Sequence, residues 1–148
     1  MHGFGPHLML DGYGCAKSKL EDLNLIYRIL DELPTRIGMT RIMPPYVFKY
    51  SGLKPEDWGI SGFVLIAESH ISIHTFPEKS FVSVDIFSCK AFDADFATKY
   101  LQNAFGMEKV ECNVLDRGTE FPKTLNGAAR LARAERRRVT RPTVARHA

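Results

Sequence analysis

Residues 62–88 carry the pattern that most restricts the fold. "GFVLIA" (62–67) is a continuous apolar run, the mark of a central strand. "SHISIHT" (69–75) alternates, with Ile71 and Ile73 facing one side and His70, Ser72 and His74 the other. "FVSVDIFS" (81–88) alternates less cleanly but is rich in Val, Ile and Phe. Three successive strands commit the chain to a sheet, and the other elements are read around it.

His7 to Gly12 is a short apolar run, a first strand ending in the Gly-Tyr-Gly of residues 12–14. Ser18 and Glu21 have the spacing of a capping box. Leu20, Leu23, Ile26, Tyr27, Leu30 and Leu33 follow at helical spacing, so a helix is expected from about Lys19 to Leu33, with Pro34 near its end. Met39 to Met43 reads as a short strand broken by Pro44 and Pro45, and Tyr46 to Tyr50 resumes it. "SGLKPEDWG" is a turn-rich loop. Asp93 or Asp95 caps a second helix, and Gly106 closes it. Val110, Cys112 and Val114 alternate through a last strand. The order predicts a two-layer α/β (α+β) sandwich, a largely antiparallel sheet with two helices on one face. The other face needs cover, and a second copy of the chain is the simplest one.

The chain has 148 residues, 45% hydrophobic and 25% charged, which fits one globular domain. No apolar run reaches the roughly 18 residues of a membrane helix. "MHGFGPHLMLDGYG" has no basic region followed by an apolar core, so the expected compartment is the cytoplasm. Three cysteines, an odd number, argue against a disulfide framework. Charge is uneven. Residues 125–148 hold seven arginines and one acid, a tail of +6, which leaves the body, residues 1–124, at −3 against the whole-chain +3. The tail is expected to be a disordered extension. It has no aromatic residue to stack on bases, so a nucleic-acid-binding module is the remote reading.

"AESHISIHTFPE" (67–78) places carboxylates, hydroxyls and histidines in an otherwise apolar strand. A metal site is unfavoured, because His70 and His74 on a strand lie about 13 Å apart. A Ser-His hydrolase is also unfavoured. Ser69 and His74 fall on opposite faces of a straight strand, and no G-x-S-x-G elbow surrounds Ser69. A third chemistry suits the residues. A serine oxygen attacks the carbonyl before it, here that of Glu68, and the peptide becomes an ester. A base then removes the serine α-proton, and the resulting dehydroalanine hydrolyses to a pyruvoyl group. That group forms a Schiff base with a substrate amine and accepts electrons.

"ESHISIHTFPE", preceded by "GISGFV" and followed by "DIFSCK", resembles the self-processing S-adenosylmethionine decarboxylases of prokaryotes. The resemblance spans about His7 to Pro122. Its core is the Glu68-Ser69-His70 run, His74 five residues after Ser69, Glu78 four after His74, and Cys89 20 after Ser69. It implies cleavage between Glu68 and Ser69, giving a 68-residue β chain and an 80-residue α chain that starts with the pyruvoyl group. It implies that His74 takes the α-proton during processing, that Ser61 assists, and that Cys89 returns a proton to the substrate carbon. Glu78 would hold the ribose hydroxyls of S-adenosylmethionine. Phe4, Phe48, Tyr50 and Trp58 are candidates to stack on its adenine or face its sulfonium. Nothing in the residues suggests a metal requirement. The resemblance implies an (αβ)₂ homodimer with sites at the interface, and a product that donates aminopropyl groups for spermidine synthesis. The same residues would serve a decarboxylase of ornithine or arginine. Glu78 favours the adenosyl substrate over these.

Overall fold

A computed structural model describes residues 3–139, with side chains described through residue 134. The elements are β1 (Gly5–Tyr13), α1 (Lys17–Leu20), α2 (Leu23–Arg36), β2 (Thr40–Arg41), β3 (Tyr46–Ser51), β4 (Trp58–Ala67), β5 (Ser69–Phe76), β6 (Phe81–Ser88), α3 (Ala94–Phe105), β7 (Lys109–Arg117) and α4 (Leu125–Val139). The strands form one sheet in the order β2-β4-β5-β6-β1-β7, with β3 also on the outer edge of β4. Every pairing is antiparallel.

The period-two pattern fixes which face is buried. Leu8 and Leu10 of β1, Val64 and Ile66 of β4, Ile71 and Ile73 of β5, and Val82, Val84 and Ile86 of β6 point to one side. There they meet Ile26, Ile29, Leu30 and Leu33 of α2, and Ala97, Leu101 and Phe105 of α3, in one core. A one-residue slip of any central strand would move its whole apolar set to the other face. Asp93 caps α3 by accepting from the Phe96 N–H, and Gly106 ends it with φ of 61°. The expected sandwich, with helices on one face, is the observed one.

Three local expectations need correction. The single helix over 19–33 is two helices. Ser18 lies inside α1 and caps nothing; Asp22 caps α2 by accepting from the Leu25 N–H at 3.0 Å. The break has a tertiary cause, since the Leu20 carbonyl accepts from the buried Thr75 hydroxyl at 2.8 Å. Pro34 does not end α2, which runs on to Arg36. It sits so near the end that only the bond to the Leu30 carbonyl is lost. The tail expected to be disordered is helical over 125–139, a stretch rich in Ala, Leu and Arg, which favour helix. Residues 140–148 lie outside the described residues.

The sheet face opposite the helices carries Tyr46, Phe48, Tyr50, Phe63, Leu65 and Phe76, exposed from 36% for Phe63 to 59% for Tyr50. No helix among the described residues is long and apolar enough to cross a membrane.

Candidate active site

The sequence-marked residues gather in two clusters at opposite ends of β5. At one end, Glu68 alone connects β4 to β5. The Glu68 N–H donates to Cys89 Sγ at 3.3 Å, and the Cys89 N–H donates to the Glu68 carbonyl oxygen at 3.3 Å. Ser69 opens β5 with φ of 120°, a region that side chains other than glycine rarely adopt. Its hydroxyl lies 3.5 Å from His70 Nδ1. Gly5 makes the close packing here possible, because a Cβ at that position would lie 1.8 Å from the Ser88 carbonyl oxygen and 2.9 Å from Cys89 Cα. Phe4, one residue earlier, packs on Phe87 and Phe121 with ring centres 5.4 and 4.9 Å away.

At the other end, Ser61 and His74 are directly opposed on β4 and β5, and Ser61 Oγ lies 2.9 Å from His74 Nδ1. They line a cavity of about 530 Å³ with Phe48, Tyr50, Trp58 and Phe76. That volume suits a small-molecule site with an apolar lining and a few polar groups. Gly59 lets β4 lie close to β5, since a Cβ there would lie 1.8 Å from the Thr75 carbonyl oxygen. Thr75 is buried and fully used, accepting from the Ile60 N–H at 2.9 Å and donating to the Leu20 carbonyl.

Glu78 sits beside this cavity in the one-turn 3₁₀ helix that follows β5. Its Oε1 accepts from Lys17 Nζ at 2.8 Å and from the Trp58 indole N–H at 3.2 Å. The Lys17 ammonium first, and the indole second, hold its carboxyl below the usual carboxylate range. Lys49 Nζ lies 4.7 Å from the centre of the Trp58 ring, so the indole is committed at both its edge and its face.

One protomer does not unite the two clusters. β5 runs unbroken from Ser69 to Phe76, and five residues of strand separate Ser69 from His74 by about 16 Å. Ser61, His74, Glu78, Phe48, Tyr50 and Trp58 share one end; Glu68, Ser69, Cys89 and Phe4 share the other. Two contributors were not anticipated. Phe76 lines the cavity, and its signal was available, because it continues the His70, Ser72, His74 face of β5. Lys17 is 61 residues from Glu78, and nothing local marks it.

The fold places the chain among two-layer α+β sandwiches built on one antiparallel sheet, and a solved enzyme structure shares it. The crystal structure of the adenosylmethionine decarboxylase from Aquifex aeolicus VF5 matches with a TM-score of 0.67 and 28% identity, over 80% of this chain and 93% of that one. The family model described as S-adenosylmethionine decarboxylase matches residues 6–118. An S-adenosylmethionine decarboxylase proenzyme from Pyrococcus furiosus is 33% identical over 121 residues, 81% of this chain and 83% of the relative. One from Clostridium botulinum strain Langeland is 36% identical over 115 residues, 77% and 94% respectively. The chain belongs to the S-adenosylmethionine decarboxylase family.

Proposed function

We propose that the chain cuts itself between Glu68 and Ser69 and then decarboxylates S-adenosylmethionine. The observation that carries this reading is the clamp on the Glu68 peptide group. The carbonyl that Ser69 must attack already accepts the Cys89 N–H. That donor is aimed at the oxygen where negative charge develops during attack, which is the electrostatic requirement of acyl transfer.

The surroundings of Ser69 fit a pyruvoyl group formed there. The residue begins a strand, so a cut before it removes one connecting peptide and leaves the ladder of β5 intact. The Cys89 thiol lies beside the cut. When present, the group supplies an electrophilic carbonyl that takes up the electron pair left by departing CO₂. The rest falls to the side chains. His74, with Ser61 on its Nδ1, would take the Ser69 α-proton of the other copy in a dimer. Cys89 is placed to deliver one proton to the substrate carbon. Glu78 presents Oε2 to a vicinal diol while Lys17 and Trp58 hold Oε1. Phe48 and Phe76 offer faces for a purine.

The separation of Ser69 from His74 argues that the site is completed by a second copy. On the exposed apolar face Phe63 and Leu65 of β4 lie between the two clusters, so pairing two such faces would bury them and set one protomer's Ser69 end against the partner's His74 end. The reading is therefore an (αβ)₂ dimer.

The test is the denatured mass of the purified 16.7 kDa chain, followed by assay on S-adenosylmethionine, arginine and ornithine. Two fragments that meet at Glu68/Ser69, with CO₂ release from S-adenosylmethionine, are expected. A chain that stays whole, or release only from arginine or ornithine, would overturn the reading.

A further inference from the structure

Self-cleavage takes two protons from Ser69. The Ser69 α-proton leaves late, after the ester exists. The Ser69 hydroxyl proton must leave first, as Oγ attacks Glu68. His74 lies about 16 Å along its own strand from Ser69, so within a protomer it does not reach that hydroxyl, and the copy the partner would bring is assigned to the later α-proton. The Cys89 thiol is taken up in accepting the Glu68 N–H. Among the described residues, the side-chain partner of the Ser69 hydroxyl is His70, with Nδ1 3.5 Å from Oγ.

We infer that His70 is the catalytic base and acid of the first step, the shift of the Glu68 acyl group from nitrogen to oxygen. Nδ1 accepts the Oγ proton while Oγ bonds to the Glu68 carbonyl carbon. The bond from that carbon to the Ser69 nitrogen then breaks, and the nitrogen leaves as an amine with the proton that Nδ1 returns. The step is an isomerisation, with no atom or electron gained. A distance of 3.5 Å is long for a hydrogen bond, but acid-base contacts commonly tighten only as the reaction proceeds. This inference rests on the self-cleavage proposed above.

The surroundings suit the role. His70 is on the open face, half-buried, opposite Leu65 on β4 and Phe87 on β6. Its ring meets the Phe87 ring edge-on, with centres 5.9 Å apart. Around the same Phe87 stand His7 from β1, paired to Asp85 at 2.8 Å, and Arg117 from β7, 4.1 Å from the ring centre. Burial first, and then the nearby His7 and Arg117, lower the affinity of His70 for a proton; Asp85 opposes them. On balance these neighbours favour the neutral ring, the form that accepts a proton.

The experiment follows the full chain, freshly translated in a cell-free system, by mass. His70→Ala, His70→Asn and His74→Ala are timed with and without mild hydroxylamine, which cuts an ester at 68/69, told by fragment mass from the slow cut at Asn126-Gly127. His70→Ala is expected to split roughly 10²-fold more slowly than the unmodified chain. It should yield nothing to hydroxylamine, and added imidazole should restore its splitting. His70→Asn keeps a polar atom near the Nδ1 position but no basicity, and is expected to be equally slow. His74→Ala should accumulate an ester that hydroxylamine releases. Four results would overturn the assignment: unmodified rates in either His70 variant, a hydroxylamine-labile ester in His70→Ala, slow splitting that imidazole leaves unchanged, or an unmodified chain that never splits. The last also overturns the self-cleavage reading; the first three remove His70 alone.

Discussion

Ser61 Oγ and His74 Nδ1 lie 2.9 Å apart, a directly opposed pair on β4 and β5. Antiparallel register alone creates this contact, because a slip of one residue on either strand would send one side chain into the core. In the proposed self-cleavage the serine steadies the ring, and the ring supplies the base. His74→Ala is therefore expected to slow self-cleavage by about 10²-fold or more, and Ser61→Ala by less. The persistence of uncut chain on a denaturing gel measures both.

Cys89 has two separable contributions. Its backbone N–H holds the Glu68 carbonyl, and in the proposed reaction its thiol, which accepts the Glu68 N–H, protonates the substrate carbon. Cys89→Ala keeps the first and deletes the second. The variant is expected to cleave itself and then to release CO₂ about 10²-fold more slowly than the parent. A variant that fails to cut would show instead that the thiol is needed before the substrate arrives.

Glu78 makes a pH prediction with a definite sign. Lys17, then Trp58, hold its carboxyl below the usual range. The folded value is lower than the unfolded one, so the pair's contribution is present above about pH 4.3 and is lost as pH falls through the folded value. Lys17→Met removes the larger cause, and Glu78 then takes up a proton at higher pH. The acid rise of KM for S-adenosylmethionine should move upward in Lys17→Met, with kcat little changed.

The proposed shared site makes a genetic prediction. Chains carrying Ser69→Ala and chains carrying His74→Ala are each expected to be inactive alone. Expressed together, they form some dimers in which an intact Ser69 faces an intact His74. The fragment starting at position 69 should then appear, and its mass should carry the His74→Ala change. Its absence would place both clusters' work within one protomer.

The cysteines differ in accessibility. Burial pushes the Cys15 thiol up to about 11, while Cys112 is exposed on β7. A thiol reagent at pH 8 should label Cys112 within minutes and Cys15 only as the chain unfolds.

Much of this was legible in the chain itself. Asp93 and Gly106 bracket α3 because caps act through local bonds. Ile71 and Ile73 mark the buried face because a strand has no other way to place them. The limits of α1 and α2 were not legible. Ser18 and Glu21 form a plausible capping box, but Thr75, far along the chain, claims the Leu20 carbonyl and passes the cap to Asp22. Site chemistry followed the same division. Residue types at 61, 69, 74, 78 and 89 suggest the chemistry proposed here, whereas the straightness of β5, which holds Ser69 and His74 apart, is a property of the assembled sheet. Lys17 escaped notice for the same reason, since only folding brings it to Glu78.

The single residue between β4 and β5 also changes the molecularity of unfolding. With Glu68 cut from Ser69, β4 and β5 belong to separate polypeptides, and so do β1 and its two neighbours, β6 and β7. The six-residue registers of β4 with β5 and of β1 with β6, and the nine-residue register of β1 with β7, then hold the fragments together without a covalent bond. Melting becomes a dissociation, with a midpoint that climbs with protein concentration. Recovery requires a second-order encounter between two chains that once folded as one. The intact precursor alone can fold by a first-order route, and each molecule takes it once.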